Sequence, residues 1–191
     1  MERPPLTLPL GRLVVVTDRR QAEAAGRTLV DTVTAAIDAG ARTVLLREKD
    51  LPSGDRVVLA AQLATHLREA DGTLLVAGDA GLARAMQARG VHLAAADPWP
   101  PITSVGNQSL LVGRSCHSID ELRSAHDEGA DYATLSPIWA TPSKPGYGPP
   151  LGLDGLRTAT TAVPDLPIYA LGGIAPAQAL PCFDAGASGV P

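Results

Sequence analysis

The sequence predicts an α/β protein folded as a (β/α)8 TIM barrel, with a doubly wound open sheet as the alternative. Three observations predict it. Short apolar runs alternate with amphipathic stretches along the 191 residues, the pattern of strands linked by helices, which pair in parallel through right-handed crossovers. One junction recurs, a glycine among small residues that closes a helix just before a strand: A-G-A-R-T-V at Ala39–Val44, A-R-G-V-H-L at Ala88–Leu93, E-G-A-D-Y-A at Glu128–Ala133 and A-G-A-S-G-V at Ala185–Val190. Polar and charged residues then collect just past the strand ends, where ligands sit in parallel α/β folds.

Leu13–Thr17 (L-V-V-V-T) is the first expected strand. Apolar residues at helical spacing (Leu29, Val33, Ala36, Ile37) predict a helix over Thr28–Ala39, stopped by Gly40. Thr43–Arg47 is the second strand, and Ser53 is expected to cap a helix running to Ala70. Leu74–Ala77 is the third strand, followed by a short helix over Ala80–Ala88, and Val91–Leu93 is the fourth. The proline-rich segment from Pro98 to Ile102 leaves little room for a helix before a fifth strand at Leu110–Gly113. Ser118, with Glu121 three residues on, makes a capping-box pattern that opens a helix ending near Gly129. The sixth strand, Asp131–Leu135, is an apolar run too short for a stable helix and bounded by Asp131 and Pro137. Gly155–Thr161 reads as helix, Ile168–Leu171 as the seventh strand, Pro176–Ala185 as the next helix, and Gly186–Pro191 as the opening of an eighth strand. The expectation is one barrel domain over residues 1–191. It is apparently truncated in or after its eighth strand, since such barrels usually take roughly 250 residues.

Composition narrows the function classes. A net charge of −4 leaves no basic face for nucleic acid, so any anion site must be local. With 45% hydrophobic residues but only 3% aromatic ones, the core is built from Ala, Val and Leu, which suits parallel strands buried under Ala-rich helices. No apolar run approaches the roughly 20 residues of a membrane span, and the opening M-E-R-P-P-L-T-L-P-L lacks the apolar core of a signal peptide. Cys116 and Cys182 have no metal-ligand spacing and read as buried thiols in a reducing compartment. A cytoplasmic protein with small-molecule ligands, no nucleic acid partner and no membrane contact is expected, its oligomeric state left open.

In chain order the strand ends carry Asp18; Arg47 and Lys49; Gly78 and Asp79; His92 and Asp97; Arg114, Ser115 and His117; Ser136, Thr141 and Lys144; Gly172 and Gly173. After the sixth strand, Thr141, Ser143 and Lys144 supply two hydroxyls and an ammonium, a set suited to phosphate oxygens. Singly, each has a plainer reading: Arg47 to Lys49 as a solvated charge run, Asp79 as a helix cap, His92 as a satisfied core histidine. Together, cations facing carboxylates suggest a diphosphate with a divalent metal, because Asp oxygens suit Mg²⁺, which commonly shares its shell with substrate phosphates. Gly172-Gly173 ahead of a helix suits close backbone approach to a phosphate.

Five segments in order carry a family resemblance: L-R-E-K-D at Leu46–Asp50, G-V-H-L at Gly90–Leu93, G-R-S-C-H-S at Gly113–Ser118, G-A-D-Y with S-P-I-W-A-T-P-S-K between Gly129 and Lys144, and A-L-G-G-I at Ala170–Ile174. In these the chain resembles the thiamine-phosphate synthase and thiazole tautomerase family, whose members are (β/α)8 barrels. The resemblance implies a Mg²⁺-dependent transferase of thiamine biosynthesis that joins hydroxymethylpyrimidine diphosphate to thiazole phosphate and releases diphosphate. It implies that Arg47, Lys49, Lys144 and Ser115 hold the diphosphate, that Asp79 and Asp97 carry the Mg²⁺, and that His92 lies by the pyrimidine. Thr141, Ser143 and the Gly172-Gly173 turn, through the Gly173 amide, would help hold the thiazole phosphate. The tautomerase branch, which aromatises a thiazole carboxylate phosphate, uses a proton-transfer histidine that His117 matches. The chain departs from the synthase pattern at Leu45 (Gln in the family), Gly78 (Asn) and Ala94-Ala95 (Gly-Gln), each a lost polar contact. A non-catalytic phosphate-ligand-binding relative is the third reading.

Overall fold

The computed structural model describes residues 10–99, 104–105, 108–141 and 149–191. Seven strands form one parallel sheet: β1 (Val14–Val16), β2 (Thr43–Leu46), β3 (Thr73–Ala77), β4 (Gly90–Leu93), β7 (Leu111–Cys116), β8 (Tyr132–Leu135) and β9 (Ile168–Ala170). Between β4 and β7 lies a separate antiparallel ribbon, β5 (Ser104–Val105) with β6 (Gln108–Ser109). The helices are α1 (Arg19–Ala24), α2 (Leu29–Asp38), α3 (Ser53–Glu69), α4 (Ala80–Ala85), α5 (Ile119–Asp127), α6 (Gly152–Ala162) and, after a 3-10 turn at Pro176–Gln178, α7 (Ala179–Asp184).

Each strand of the large sheet neighbours the next in sequence, with no reversal of order. A doubly wound sheet requires such a reversal, so that alternative falls. The sheet curls. Near the C-terminus Gly189 bridges to Tyr169 on the last strand and Val190 bridges to Leu13 beside the first. The Ala170 amide donates to the Gly189 carbonyl at 3.0 Å, and the Val14 amide to the Val190 carbonyl at 2.9 Å.

Strand side chains alternate with a period of two. Val14, Leu45, Leu75, Ala77, Leu111, Tyr132 and Tyr169 point to one side and form an inner cluster. Their neighbours Val44, Leu46, Val76, Val91 and Val112 pack outward with α2 and α3, and Ala133, Leu135, Ile168 and Ala170 pack with α5 and α6. With so few aromatics, the two inner tyrosines do most of the filling, and glycines make room for them. A Cβ at Gly113 would overlap the Tyr132 ring, and one at Gly189 would overlap the Tyr169 ring.

Several expectations shift. Asp18 caps a helix the sequence did not announce, α1, with its Oδ1 accepting from the amides of Arg20 at 3.0 Å and Gln21 at 3.2 Å. Ser53 is the first residue of α3 rather than its cap, a place taken by Pro52 with no side-chain hydrogen bond. The fifth strand of the sheet runs past Gly113 to Cys116 because Arg114 faces outward, where its Nη1 donates to the Asp97 carbonyl at 2.6 Å, so a charged residue continues the strand. Ser115 therefore lies on the strand itself. No described helix is long and apolar enough to cross a membrane.

Candidate active site

Because the strands are parallel, all their carboxyl ends open on one side. The uppermost inward positions of three neighbouring strands are polar. His92 on β4 is buried, its Nδ1 at 3.0 Å from the Tyr132 hydroxyl and its Nε2 at 2.9 Å from Ser115 Oγ on β7, with Thr134 Oγ1 on β8 at 3.4 Å. The His92 and Tyr132 rings stack with centroids 5.5 Å apart. Burial pushes the Tyr132 phenol far above its ordinary pKa, so it stays protonated. His92 is thus a satisfied core histidine, and with Tyr132, Ser115 and Thr134 it makes a polar floor at the strand ends.

Above this floor stands a charged rim. Lys49 Nζ sits 3.2 Å from Asp97 Oδ2, which also accepts from the Ala94 amide at 2.8 Å. Burial alone would raise the Asp97 pKa, but that amide and the ammonium hold it below the usual carboxylate value. Gly78, with φ of 69°, lies against this pair: a Cβ there would stand 2.8 Å from Lys49 Nζ and 3.4 Å from Asp97 Oδ2. Asn, the other residue that tolerates such a φ, would add a polar group here, and this chain leaves the space to lysine. Next to it Asp79 caps α4, Oδ1 accepting from the Leu82 amide at 2.8 Å, while Oδ2 lies 3.5 Å from Arg56 Nη1. Lys49, Ser53, Arg56, Asp79 and Leu82 line an open cleft of about 400 Å³.

The charge run at the end of β2 divides. Arg47 is exposed, its amide tied to Thr17 Oγ1 at 2.9 Å. Glu48 is buried and takes the Arg19 guanidinium at 2.8 Å, and Arg19 also grips Asp50 through two 2.7 Å contacts. Those hydrogen bonds hold Asp50 well below the usual carboxylate range. The acidic residues of the run are thus claimed by Arg19, while Arg47 is exposed and Lys49 reaches Asp97.

His117 follows β7 directly. Its amide donates to Glu121 Oε2 at 2.6 Å, and its Nδ1 lies 2.7 Å from the Ser136 carbonyl. A carbonyl only accepts, so Nδ1 carries the proton and Nε2 is the basic nitrogen. Ser118 caps α5 by accepting from the Glu121 amide at 3.2 Å, but the glutamate reaches back one residue further than a capping box predicts, to His117. Gly172 and Gly173 adopt φ of 92° and 66°. The loop after β8 runs close to them: a Cβ on Gly173 would lie 2.6 Å from the Ala140 carbonyl oxygen, and the Trp139 amide donates to the Gly172 carbonyl at 2.9 Å. Packing against residues 137–140 accounts for both glycines.

His92 and Ser115 are brought together, as are Lys49, Asp97 and the residue before Asp79, while His117 is held by the loop after β8. Thr141 is half-buried at the start of that loop. Ser143 and Lys144 lie outside the described residues. Sequence reasoning missed Tyr132, Thr134 and Arg56. A tyrosine and a threonine inside a strand read as core and β-former, and only their inward register against His92 reveals them. Arg56, buried with Nη2 donating to the Ala77 carbonyl at 2.6 Å, gives no signal in the sequence.

A family model described as thiamine monophosphate synthase matches residues 13–191. The chain belongs to that family. A thiamine-phosphate synthase of Roseiflexus castenholzii is 37% identical over 190 residues, covering 97% of this chain and 82% of the relative. The thiamine biosynthesis bifunctional protein ThiM/ThiE of Symbiobacterium thermophilum is 38% identical over 98% of this chain, which spans only 37% of that longer protein. Among solved structures, a thiamine phosphate pyrophosphorylase from Pyrococcus furiosus superposes with a TM-score of 0.79 at 29% identity, covering 94% of this chain and 83% of that one. These findings place the chain among the transferases of thiamine biosynthesis.

Proposed function

We propose that this chain joins hydroxymethylpyrimidine diphosphate to thiazole phosphate, forming thiamine phosphate and releasing diphosphate. The observation that carries the reading is a charged pair, Lys49 with Asp97 beside Gly78, together with the Ser115–His92 contact at the carboxyl ends of the same sheet. A diphosphate leaves a benzylic-type carbon only when its developing charge is neutralised, and cations fixed at a strand-end opening supply that electrostatically. Arg47 and Lys49 are the cations we assign to the diphosphate, joined by Lys144, with the Ser115 hydroxyl as a donor. His92 lies against the pyrimidine, and Thr141, Ser143 and the Gly173 amide hold the thiazole phosphate. The thiazole nitrogen is the nucleophile and needs no general base, so the protein's part is to orient the two rings and exclude water.

The fit of Mg²⁺ rests on the donor set. Among the described residues no cluster of three or more His, Cys, Asp or Glu side chains is grouped to hold a metal. Two carboxylates are available: Asp97, whose Oδ2 lies near Gly78, and Asp79, next after Gly78 in the chain and in the lining of the cleft. Two hard oxygen donors, completed by substrate phosphate and water, match Mg²⁺ rather than a transition metal. Asp79 and Asp97 would hold the ion, which when bound supplies further charge to the departing diphosphate.

The strand-end geometry also fits a complete eight-stranded barrel, with Ser188–Val190 in the place of the eighth strand. The two buried thiols fit a reducing, cytoplasmic setting. The test is thiamine phosphate formation by the purified protein given both substrates and Mg²⁺. Its absence from folded protein would overturn the reading. One observation favours a second activity: the His117 ring is held by Nδ1 on the Ser136 carbonyl, and a histidine held at a strand end is a group that can carry a proton for a thiazole tautomerase. Turnover of thiazole carboxylate phosphate alone, without Mg²⁺, would mark that branch.

A further inference from the structure

Tyr132, His92 and Ser115 form one chain of hydrogen bonds across β8, β4 and β7. Tyr132 is buried, and among the described residues its hydroxyl has one hydrogen-bond partner, His92 Nδ1 at 3.0 Å. Two directions are possible for the chain of bonds. If His92 Nδ1 carried the proton, it would donate to the phenol oxygen and leave the phenol hydrogen buried without an acceptor. A buried unsatisfied donor costs about 1–3 kcal/mol, whereas a phenol donating to imidazole nitrogen satisfies both groups. The phenol therefore donates, and Nε2 bears the imidazole proton. Nε2–H then donates to Ser115 Oγ at 2.9 Å, with Thr134 Oγ1 a more distant acceptor at 3.4 Å. With its oxygen already accepting from below, Ser115 keeps its own hydrogen for a partner outside the chain of bonds. Ser115 is only half-buried, so that partner approaches from the strand-end opening.

We infer that Tyr132 is a positioning residue: the chain Tyr132 O–H to His92 Nδ1, His92 Nε2–H to Ser115 Oγ, turns the serine into a dedicated donor toward an anionic phosphate oxygen. A serine that instead donated to histidine could only offer its lone pairs, which repel an anion. The inference rests on the reading of Ser115 as a diphosphate contact, and it goes beyond that reading by fixing the direction of the hydrogen bonds and assigning their source. Gly113 is part of the device, because the space it leaves is what admits the Tyr132 ring beneath His92.

The test joins nitrogen NMR of the histidine rings with titration by inorganic diphosphate in the presence of Mg²⁺. In the wild-type protein at neutral pH, the His92 signals should show Nε2 protonated and Nδ1 bare. Tyr132→Phe keeps the ring and its stacking but removes the donor; the tautomer preference should be lost and diphosphate affinity should fall about threefold to tenfold, the loss of one neutral hydrogen bond. A thermal melt of the variant separates this from misfolding, and the wild-type spectrum needs no variant at all. Nδ1 protonated in the wild type overturns the inference. So does a Tyr132→Phe protein that binds diphosphate as tightly as wild type. Ser115→Ala separates the two layers: unchanged diphosphate affinity there overturns Ser115 as the ligand contact and with it the purpose of the relay, while the wild-type tautomer still reports on the direction of the bonds.

Discussion

The floor and the rim of the strand-end cleft are built on opposite terms. The floor (His92, Tyr132, Thr134) is buried, and its hydrogen bonds reach from β4 past β7 to β8. The rim (Arg47, Lys49, Asp79, Asp97) is charged and largely solvent-facing, held by side chains of loops and helix starts; the Lys49 side chain is 45% exposed. A buried network with fixed partners sets position but tolerates no net charge. An exposed set of ions carries the charge, and solvent screens its internal pairs so that an incoming anion can replace them. The difference teaches where each substitution should register: at the floor in stability and geometry, at the rim in affinity.

His117, just past the end of β7, belongs to neither region and offers the largest effect. His117→Asn keeps a polar contact to the Ser136 carbonyl but carries no transferable proton. Any tautomerase rate should fall ~10²–10⁴-fold, while thiamine phosphate formation changes little. Equal aromatisation by wild type and variant would remove His117 as the proton carrier.

Lys144→Ala should weaken the pyrimidine diphosphate by roughly tenfold to a hundredfold, as expected for a charge-assisted contact, and leave the melting temperature unchanged. Unaltered affinity in a titration would return Lys144 to the status of a surface lysine.

Gly113→Ala tests the floor. The added methyl meets a Tyr132 ring that is buried and tied to His92, so it cannot swing aside. Stability should fall by about 1–3 kcal/mol in urea unfolding, the usual cost of overpacking. A variant as stable as wild type would mean the inner layer is looser than described.

The smallest effect belongs to the rim pair. Lys49→Ala should cost less than ~1 kcal/mol of stability at neutral pH, as for exposed ion pairs generally. The sign of its pH dependence follows from Asp97, whose pKa is lowered in the folded protein. Its stabilisation is complete above the unfolded carboxylate value of about 3.9 and is lost as pH falls through the lower folded one. The gap between wild type and Lys49→Ala should therefore close on acidification, and a gap that widened would contradict the assignment.

Much of the floor's framework was legible because short apolar runs alternate with helical stretches along the chain. Apolar runs such as Thr43–Leu46 and Tyr132–Leu135 are buried on both faces, and only strands of a covered parallel sheet read that way. Strand order followed from the same alternation. Partners across strands were not legible, because the meeting of His92 with Tyr132 depends on how β4, β7 and β8 are staggered, and no local pattern encodes the stagger. Short elements were missed for a related reason: α1 has six residues, so its signal is the Asp18 cap, and that aspartate read equally well as a rim carboxylate. Arg56 illustrates the limit, since an arginine on an amphipathic helix looks solvated until its guanidinium is seen on the Ala77 carbonyl.

The central assignment is a single cleft that transfers the pyrimidine from its diphosphate to thiazole phosphate. Phosphorus NMR of the purified protein with Mg²⁺ and both substrates addresses it most directly. The predicted result is conversion of the pyrimidine diphosphate signals into free diphosphate only when thiazole phosphate is present, in step with thiamine phosphate. Diphosphate release that ignores the thiazole, or unchanged substrate signals with folded protein, would contradict it.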